Sequence, residues 1–131
     1  MKKKLLNDCK FCNILINKDE LIEINKHAFA IYDKFPVTKY HTIIMPIKHI
    51  EDYFELTLNQ LSSINELLHK QKENLLLLDP TITGFNIGIN NGKSAGQTIK
   101  HLHIHLIPRR NNDIENPEGG IRGVIPNKMK Y

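Results

Sequence analysis

Three histidines alternate with large aliphatic residues near the C-terminal end of the chain, in the segment HLHIHLI at positions 101–107. A period of two is typical of a β-strand, whose successive side chains point to opposite faces. The three imidazoles are therefore expected on one face, about 7 Å apart, with the aliphatic side chains packed in the core behind them. The alternative is the polar face of an ordinary surface strand, but such faces normally carry Lys, Thr and Glu. The segment therefore predicts a rigid functional site built on a strand.

The rest of the chain predicts four more strands and one long helix. Runs with strand character cover residues 21–24, 28–32, 41–45 and 84–90. Thr57 can cap a helix that ends at Asp79-Pro80, with Gln60 completing a capping box. The aliphatic residues expected on its buried face are Leu58, Leu61, Ile64, Leu67, Leu68, Leu75 and Leu78. Because most connections are short, we expect an α+β fold with a mostly antiparallel sheet.

Length and charge limit the class of protein. The 131 residues suffice for one domain with a modest core, which we place at residues 9–110, between a basic N-terminal extension (1–8) and an extended C-terminal tail (111–131). No apolar run approaches the roughly 20 residues of a membrane span, so we expect no membrane partner and a cytoplasmic location. The net charge of +4 favours anionic ligands, but no nucleic-acid-binding module is recognisable, so a nucleic-acid partner is not expected.

Cys9 and Cys12 are the two cysteines of the sequence. Two cysteines are too few for the disulfide framework of a secreted protein, and in a cytosolic protein the C-x-x-C spacing suggests zinc or a redox pair. A thioredoxin-like pair would follow a strand, and no strand is predicted ahead of Cys9. The spacing therefore favours a metal, on a short turn or helix expected over residues 9–16.

The histidine spacing resembles the histidine-triad (HIT) family of nucleotide hydrolases and transferases. The resemblance extends to Gly96-Gln97-Thr98, Asn90-Asn91-Gly92, Asp33 and residues 46–50, and it covers positions 9–108. It implies a HIT-like fold, with a five-stranded, mostly antiparallel sheet, one long helix and a short N-terminal helix. It also implies a two-fold homodimer.

The same resemblance implies roles for individual residues. His103, the middle histidine, is the expected nucleophile, because a neutral imidazole attacks phosphorus without a separate deprotonation. His105 is expected to donate a hydrogen bond to the α-phosphate, and Asp33 to bind the ribose hydroxyls. Polar contacts near the phosphate are expected from Asn90, Gln97 and Thr98. The apolar residues that match those around the base are Phe11, Ile14 and Ile31.

Four further residues form a possible tetrahedral zinc site: Cys9, Cys12, His49 and His101. Two thiolates and two imidazoles suit structural zinc, and the C-x-x-C members of the family resemble this arrangement. The alternative is two reduced thiols and a His101 that only packs. Such a zinc would be structural, since His103 is not a ligand, and no metal is expected to be required for catalysis. His41 shows no pattern that assigns it a partner.

We therefore expect a hydrolase that cleaves at the α-phosphorus of purine nucleotides through a nucleotidyl-histidine intermediate. Two substrate classes fit, dinucleoside polyphosphates and nucleoside phosphoramidates, and the chain lacks the tryptophan of the Hint-type C-terminus. Two other functions remain open: a nucleotide-binding regulatory protein with little turnover, and a zinc-stabilised interaction protein.

Overall fold

Five antiparallel strands form one sheet, in the order β1-β2-β3-β5-β4, in a computed structural model that describes residues 8–131. The strands are β1 (Leu21–Ile24), β2 (Ala28–Tyr32), β3 (Thr42–Pro46), β4 (Ile82–Ile89) and β5 (Ile104–Arg110), and the α-helices are α1 (Lys10–Asn17) and α2 (Leu58–Leu78). The predicted sheet, the long helix and the short N-terminal helix are confirmed. The predicted basic extension lies, except for Asp8, outside the described residues.

Alternation along the central strands buries both faces of the sheet. One face of β2 and β3 carries small or branched residues that pack with α2, among them Ala28, Ala30 and Ile44. The opposite face packs with α1, and its residues are Phe29, Ile31, Ile43 and Met45. A period of two thus gives the sheet one helix on each side, and the α1 side is the one that carries the predicted site.

The long helix begins as predicted, with a capping box between Thr57 and Gln60. Ile64, Leu67 and Leu75 are buried, but Leu58 and Leu78 are 83% and 56% exposed, so their predicted burial is wrong. Six residues at about 100° each place Leu58 about 120° around the helix from Ile64, and Leu78 lies in the last turn. No helix among residues 8–131 is long and apolar enough to cross a membrane.

The triad strand begins later than predicted. Hydrogen-bonded pairing in β5 starts at Ile104, not at 101, because the Leu102 N–H donates to the Ile50 carbonyl at 2.7 Å instead of joining a strand. The strand also continues through Pro108, which was expected to end it. Beyond Leu106, β5 pairs with β4 alone, and its other side is unpaired. Pro108 has no N–H, and none is needed on the unpaired side of the strand.

The C-terminal tail folds back against β4. The expectation of an extended tail is wrong over residues 120–128, which form two short 3₁₀-helices, Gly120–Val124 and Pro126–Lys128. Ile121 lies against Gly88, and a β-carbon added to Gly88 would be 3.4 Å from the Ile121 Cδ1. Gly88 in turn pairs with His105, so the tail lies near the triad.

Candidate active site and metal centre

A cleft of about 370 Å³ opens on the α1 side of the sheet. Its volume falls in the range of small-molecule sites, roughly 300–1,000 Å³. All nine residues predicted to contact a nucleotide line it: Phe11, Ile14, Ile31, Asp33, Asn90, Gln97, Thr98, His103 and His105. The structure therefore brings these residues together in one wall that combines buried aliphatic and aromatic side chains with polar ones.

Neutral His103 has its lone pair fixed on one ring nitrogen. Its Nδ1–H donates to the His101 carbonyl at 3.0 Å, which leaves the lone pair on Nε2. The ring is held edge-on by two neighbours, with centroids 5.0 Å from Phe11 and 5.1 Å from His105. A backbone acceptor thus fixes the tautomer that a nucleophilic imidazole needs.

A second histidine pair fixes the tautomer of His105. The Val37 N–H donates to His41 Nδ1 at 3.0 Å, so the proton of neutral His41 is on Nε2, which donates to His105 Nδ1 at 2.9 Å. His105 must then carry its own proton on Nε2, where it can serve as a donor in the cleft. Burial lowers the pKa of His41, and burial together with the nearby His103 lowers the pKa of His105 to about 4. Both rings are therefore neutral near pH 7.

Asp33 belongs to the same group of side chains. One carboxylate oxygen accepts the Phe35 N–H at 2.8 Å, and the other lies 3.5 Å from His41 Nε2 and 3.8 Å from His105 Nδ1. Because both histidines are neutral, these contacts are not ion pairs. The three residues are close enough to hold a metal, but the Val37 amide puts the His41 lone pair on Nδ1, so Nε2 is not available as a ligand.

The Gln97 side chain holds the loop between β4 and β5 in shape. Its Oε1 accepts the Gly92 N–H at 2.8 Å, and its Nε2 donates to the carbonyls of Glu51 at 3.0 Å and Ile99 at 3.2 Å. Gly92 and Gly96 both have φ of +96°, a conformation that favours glycine. Gln97 therefore supports the loop that carries Thr98 to the cleft, in addition to lining the cleft itself.

The four predicted zinc ligands converge beside the cleft. Cys9 Sγ lies 3.5 Å from His101 Nδ1, and Cys12 Sγ lies 3.6 Å from His101 Nδ1 and 3.5 Å from His49 Nδ1. Ordinary Zn–S and Zn–N bond lengths in a tetrahedron require S···N separations of about 3.6 Å. The donor set and its spacing therefore fit zinc. Cys9 is the N-cap of α1, so the C-x-x-C motif begins a helix. Both of its sulfurs face imidazole rings.

His101 is prepared for metal binding by its surroundings. Its Nε2–H donates to the Pro46 carbonyl at 2.8 Å, which leaves the Nδ1 lone pair facing both sulfurs. Burial lowers the pKa of His101 to about 4, so the ring is neutral, as a ligand must be. The sequence-based alternative of a His101 that only packs is not favoured by this geometry.

His41 is the functional candidate that the sequence analysis missed. It shares a face of its strand region with Ile43, which lines the cleft, but its partner His105 is 64 positions away along the chain. The pairing of β3 with β5, in which Ile43 lies opposite His105, brings the two histidines side by side. Strand residues two positions apart share a face, so the sequence could have predicted that His41 lies on the same face as Ile43. It could not have predicted the contact with His105.

Comparisons with known proteins identify the family. The model of the HIT domain matches residues 16–112, and the chain belongs to the HIT domain family. An uncharacterized HIT-like protein from Mycoplasma genitalium is 34% identical over 111 residues, which are 83% of this chain and 78% of that protein.

Two solved structures extend the comparison. A Zn-bound histidine triad family protein from Mycobacterium smegmatis is 30% identical, with a TM-score of 0.73 over 81% of this chain and 78% of that one. A Plasmodium falciparum diadenosine triphosphate hydrolase, in complex with Cyclomarin A, is 33% identical, with a TM-score of 0.68 over 74% of this chain and 65% of that one.

Proposed function

We propose that this protein hydrolyses purine nucleotides at the α-phosphorus through a covalent intermediate on His103. One observation carries the proposal: the hydrogen bond from His103 Nδ1–H to the His101 carbonyl puts the lone pair of the neutral ring on Nε2, in a cleft of nucleotide size. An imidazole with a fixed tautomer is a nucleophile that needs no separate base.

The reaction takes two displacements. His103 Nε2 attacks the α-phosphorus, a P–N bond forms, and the bond to the leaving oxygen or nitrogen breaks with its electron pair moving to the leaving group, which takes up a proton from solvent where it leaves as an amine. Water then attacks the same phosphorus, the P–N electron pair returns to Nε2, and the water proton passes to solvent. The His105 Nε2–H donates to a phosphate oxygen as charge develops there.

The remaining wall of the cleft supports binding of the nucleoside. The base lies against Phe11, Ile14 and Ile31, whose side chains are each no more than 5% exposed. The ribose hydroxyls bind the Asp33 carboxylate, with Asn90 and Thr98 toward the phosphate. Tight apolar walls with a few placed polar groups are typical of cofactor and nucleotide sites.

Dinucleoside polyphosphates are the substrate class that we favour over phosphoramidates. The printed activity of the Plasmodium falciparum relative, a diadenosine triphosphate hydrolase, supports this choice. In this proposal zinc is structural, and its ligands are Cys9, Cys12, His49 and His101. The side chains of these four residues take no part in the reaction. Reduced thiolates fit a reducing compartment, so we include a cytoplasmic location.

Two measurements test the proposal. Mass spectrometry of the protein quenched during turnover should detect a nucleotidyl adduct on the peptide that contains His103. Turnover of diadenosine triphosphate, diadenosine tetraphosphate and adenosine phosphoramidate should then rank the substrate classes. A protein that binds AMP but forms no adduct and turns over none of the three would instead be a nucleotide-binding regulator.

A further inference from the structure

We propose that metal binding at the Cys9, Cys12, His49 and His101 centre and nucleotide binding in the cleft are positively coupled, through α1 and the backbone of His101. The metal would then act as an effector of the nucleotide site, beyond its contribution to folding. This inference rests on the proposed nucleotide-binding function.

Helix α1 carries half of the metal ligands and part of the cleft wall. Cys9 is its N-cap and Cys12 lies in its first turn, while Phe11 and Ile14 of the same helix line the cleft. An eight-residue helix is not stable in water by itself, so its position depends on tertiary contacts. The buried attachments of α1 are therefore shared between the metal centre and the cleft.

His101 provides a second connection. Its ring faces the sulfurs through Nδ1, and its backbone carbonyl accepts the hydrogen bond that fixes the tautomer of His103. Phe11 touches both rings, with centroids 5.8 Å from His101 and 5.0 Å from His103. Fixing His101 in the metal centre therefore restricts both the nucleophile and the aromatic wall beside it.

Loss of the metal would remove the attraction that holds these parts together. Without the metal, no bonds to a common ion join the two sulfurs to the two imidazoles, so the four side chains would no longer draw α1 toward His101. A nucleotide that needs Phe11 in place would then have to order α1 as it binds. Linkage requires that the metal and the nucleotide strengthen each other by the same factor, typically about 5- to 150-fold.

The test uses AMP and zinc with the full chain. The dissociation constant of AMP is measured by calorimetry for zinc-loaded and metal-free protein, and the zinc dissociation constant is measured by chelator competition with and without saturating AMP. We expect AMP to bind at least tenfold more tightly to the zinc-loaded form, and zinc affinity to rise by the same factor. Equal AMP affinity for both forms would overturn the inference and leave the proposed function intact. Failure of AMP to bind either form would instead reject the proposed function.

Two variants separate local coupling from general unfolding. Phe11→Leu keeps an apolar side chain but removes the ring that touches both histidines, so it should bind zinc and show a coupling factor clearly below the wild-type value, with the connection through the His101 carbonyl remaining. Ile16→Ser, at a position of α1 that is 58% exposed, should keep the full coupling. If Phe11→Leu retained the full wild-type coupling, the metal would not act through the α1 wall of the cleft, and the inference would be wrong.

Discussion

At the scale of single residues, the site depends on which nitrogen of each imidazole carries the proton. A backbone carbonyl or amide fixes this for His41, His101 and His103, and His41 fixes it for His105. Side-chain identity alone therefore does not define the chemistry of the triad.

Replacement of His103 removes the proposed nucleophile. His103→Asn should lower turnover by several orders of magnitude, as loss of a covalent catalyst does, while AMP binding and the fold persist. His105→Asn should lower turnover less, because only a donor is lost. The exposed residue His69 on α2 provides the control, and His69→Asn should turn over normally. Near-native turnover by His103→Asn on every nucleotide tested would require another mechanism.

Replacement of His41 tests its action through His105. His41→Phe keeps a ring of similar size but removes the donor to His105 Nδ1, so His105 is no longer held in one tautomer. We expect turnover to fall by about a hundredfold, at the low end of what a positioned proton-transfer group contributes. Steady-state kinetics should show the change in kcat and not in KM, with His69→Phe as the matched control. A change in KM alone would mean that His41 only shapes the cleft.

Burial of His105 makes stability depend on pH. Its pKa is lowered from 6.5 to about 4, so the unfolded chain takes up this proton at a higher pH than the folded protein does. The contribution of His105 is fully present above pH 6.5 and is lost as the pH falls from 6.5 to about 4. Calorimetry should therefore show a fall in Tm over this range that is smaller in His105→Asn. Parallel curves for the two proteins would contradict the buried, neutral state.

At the scale of secondary structure, the sequence predicted which elements form better than where they begin. Runs with strand character, two of them alternating, and the capping box identified all five strands and α2, because these patterns reflect local geometry. The start of β5 was missed because it depends on Ile50, whose carbonyl captures the Leu102 amide from about 50 positions away. The nine cleft residues could be predicted only together, by resemblance, since Phe11 or Asp33 alone reads as a core or turn residue. Contacts distant in sequence account for the missed start of β5 and the missed role of His41, whereas the wrong burial of Leu58 and Leu78 was a local error in the phase and end of α2.

Helix α2 contains a polar residue in its buried face. Gln71 is 1% exposed, and its side-chain amide has no hydrogen-bond partner within residues 8–131. Burial of an unsatisfied amide is unfavourable, so Gln71→Met should stabilise the protein by about 1–2 kcal/mol. Urea unfolding should show a higher midpoint at an unchanged m-value. The exposed neighbour Lys72 gives the control variant Lys72→Met, which should have little effect. A loss of stability in Gln71→Met would mean that the amide has a partner, such as water.

At the scale of the whole molecule, the two edges of the sheet differ. The outer strand β1 has four residues, a bulge between Leu21 and Glu23, and a charged side chain in Glu23, which are features that protect an edge from pairing. The other outer strand, β4, has eight residues and no charged side chain, and its Ile87 is 52% exposed. In the described part of the chain no strand pairs with its outer edge.

The β4 edge is therefore where we expect the two-fold homodimer that the family resemblance implies. Pairing of two antiparallel β4 strands would extend the sheet and bury both copies of Ile87. Light scattering at micromolar concentration should give twice the mass of one chain, and Ile87→Lys should give the mass of a single chain. Ile24→Lys introduces the same change at the β1 edge, where Ile24 is 45% exposed, and should leave the dimer intact. A wild-type protein with the mass of one chain, or a dimer lost equally in both variants, would show that β4 is not the pairing edge.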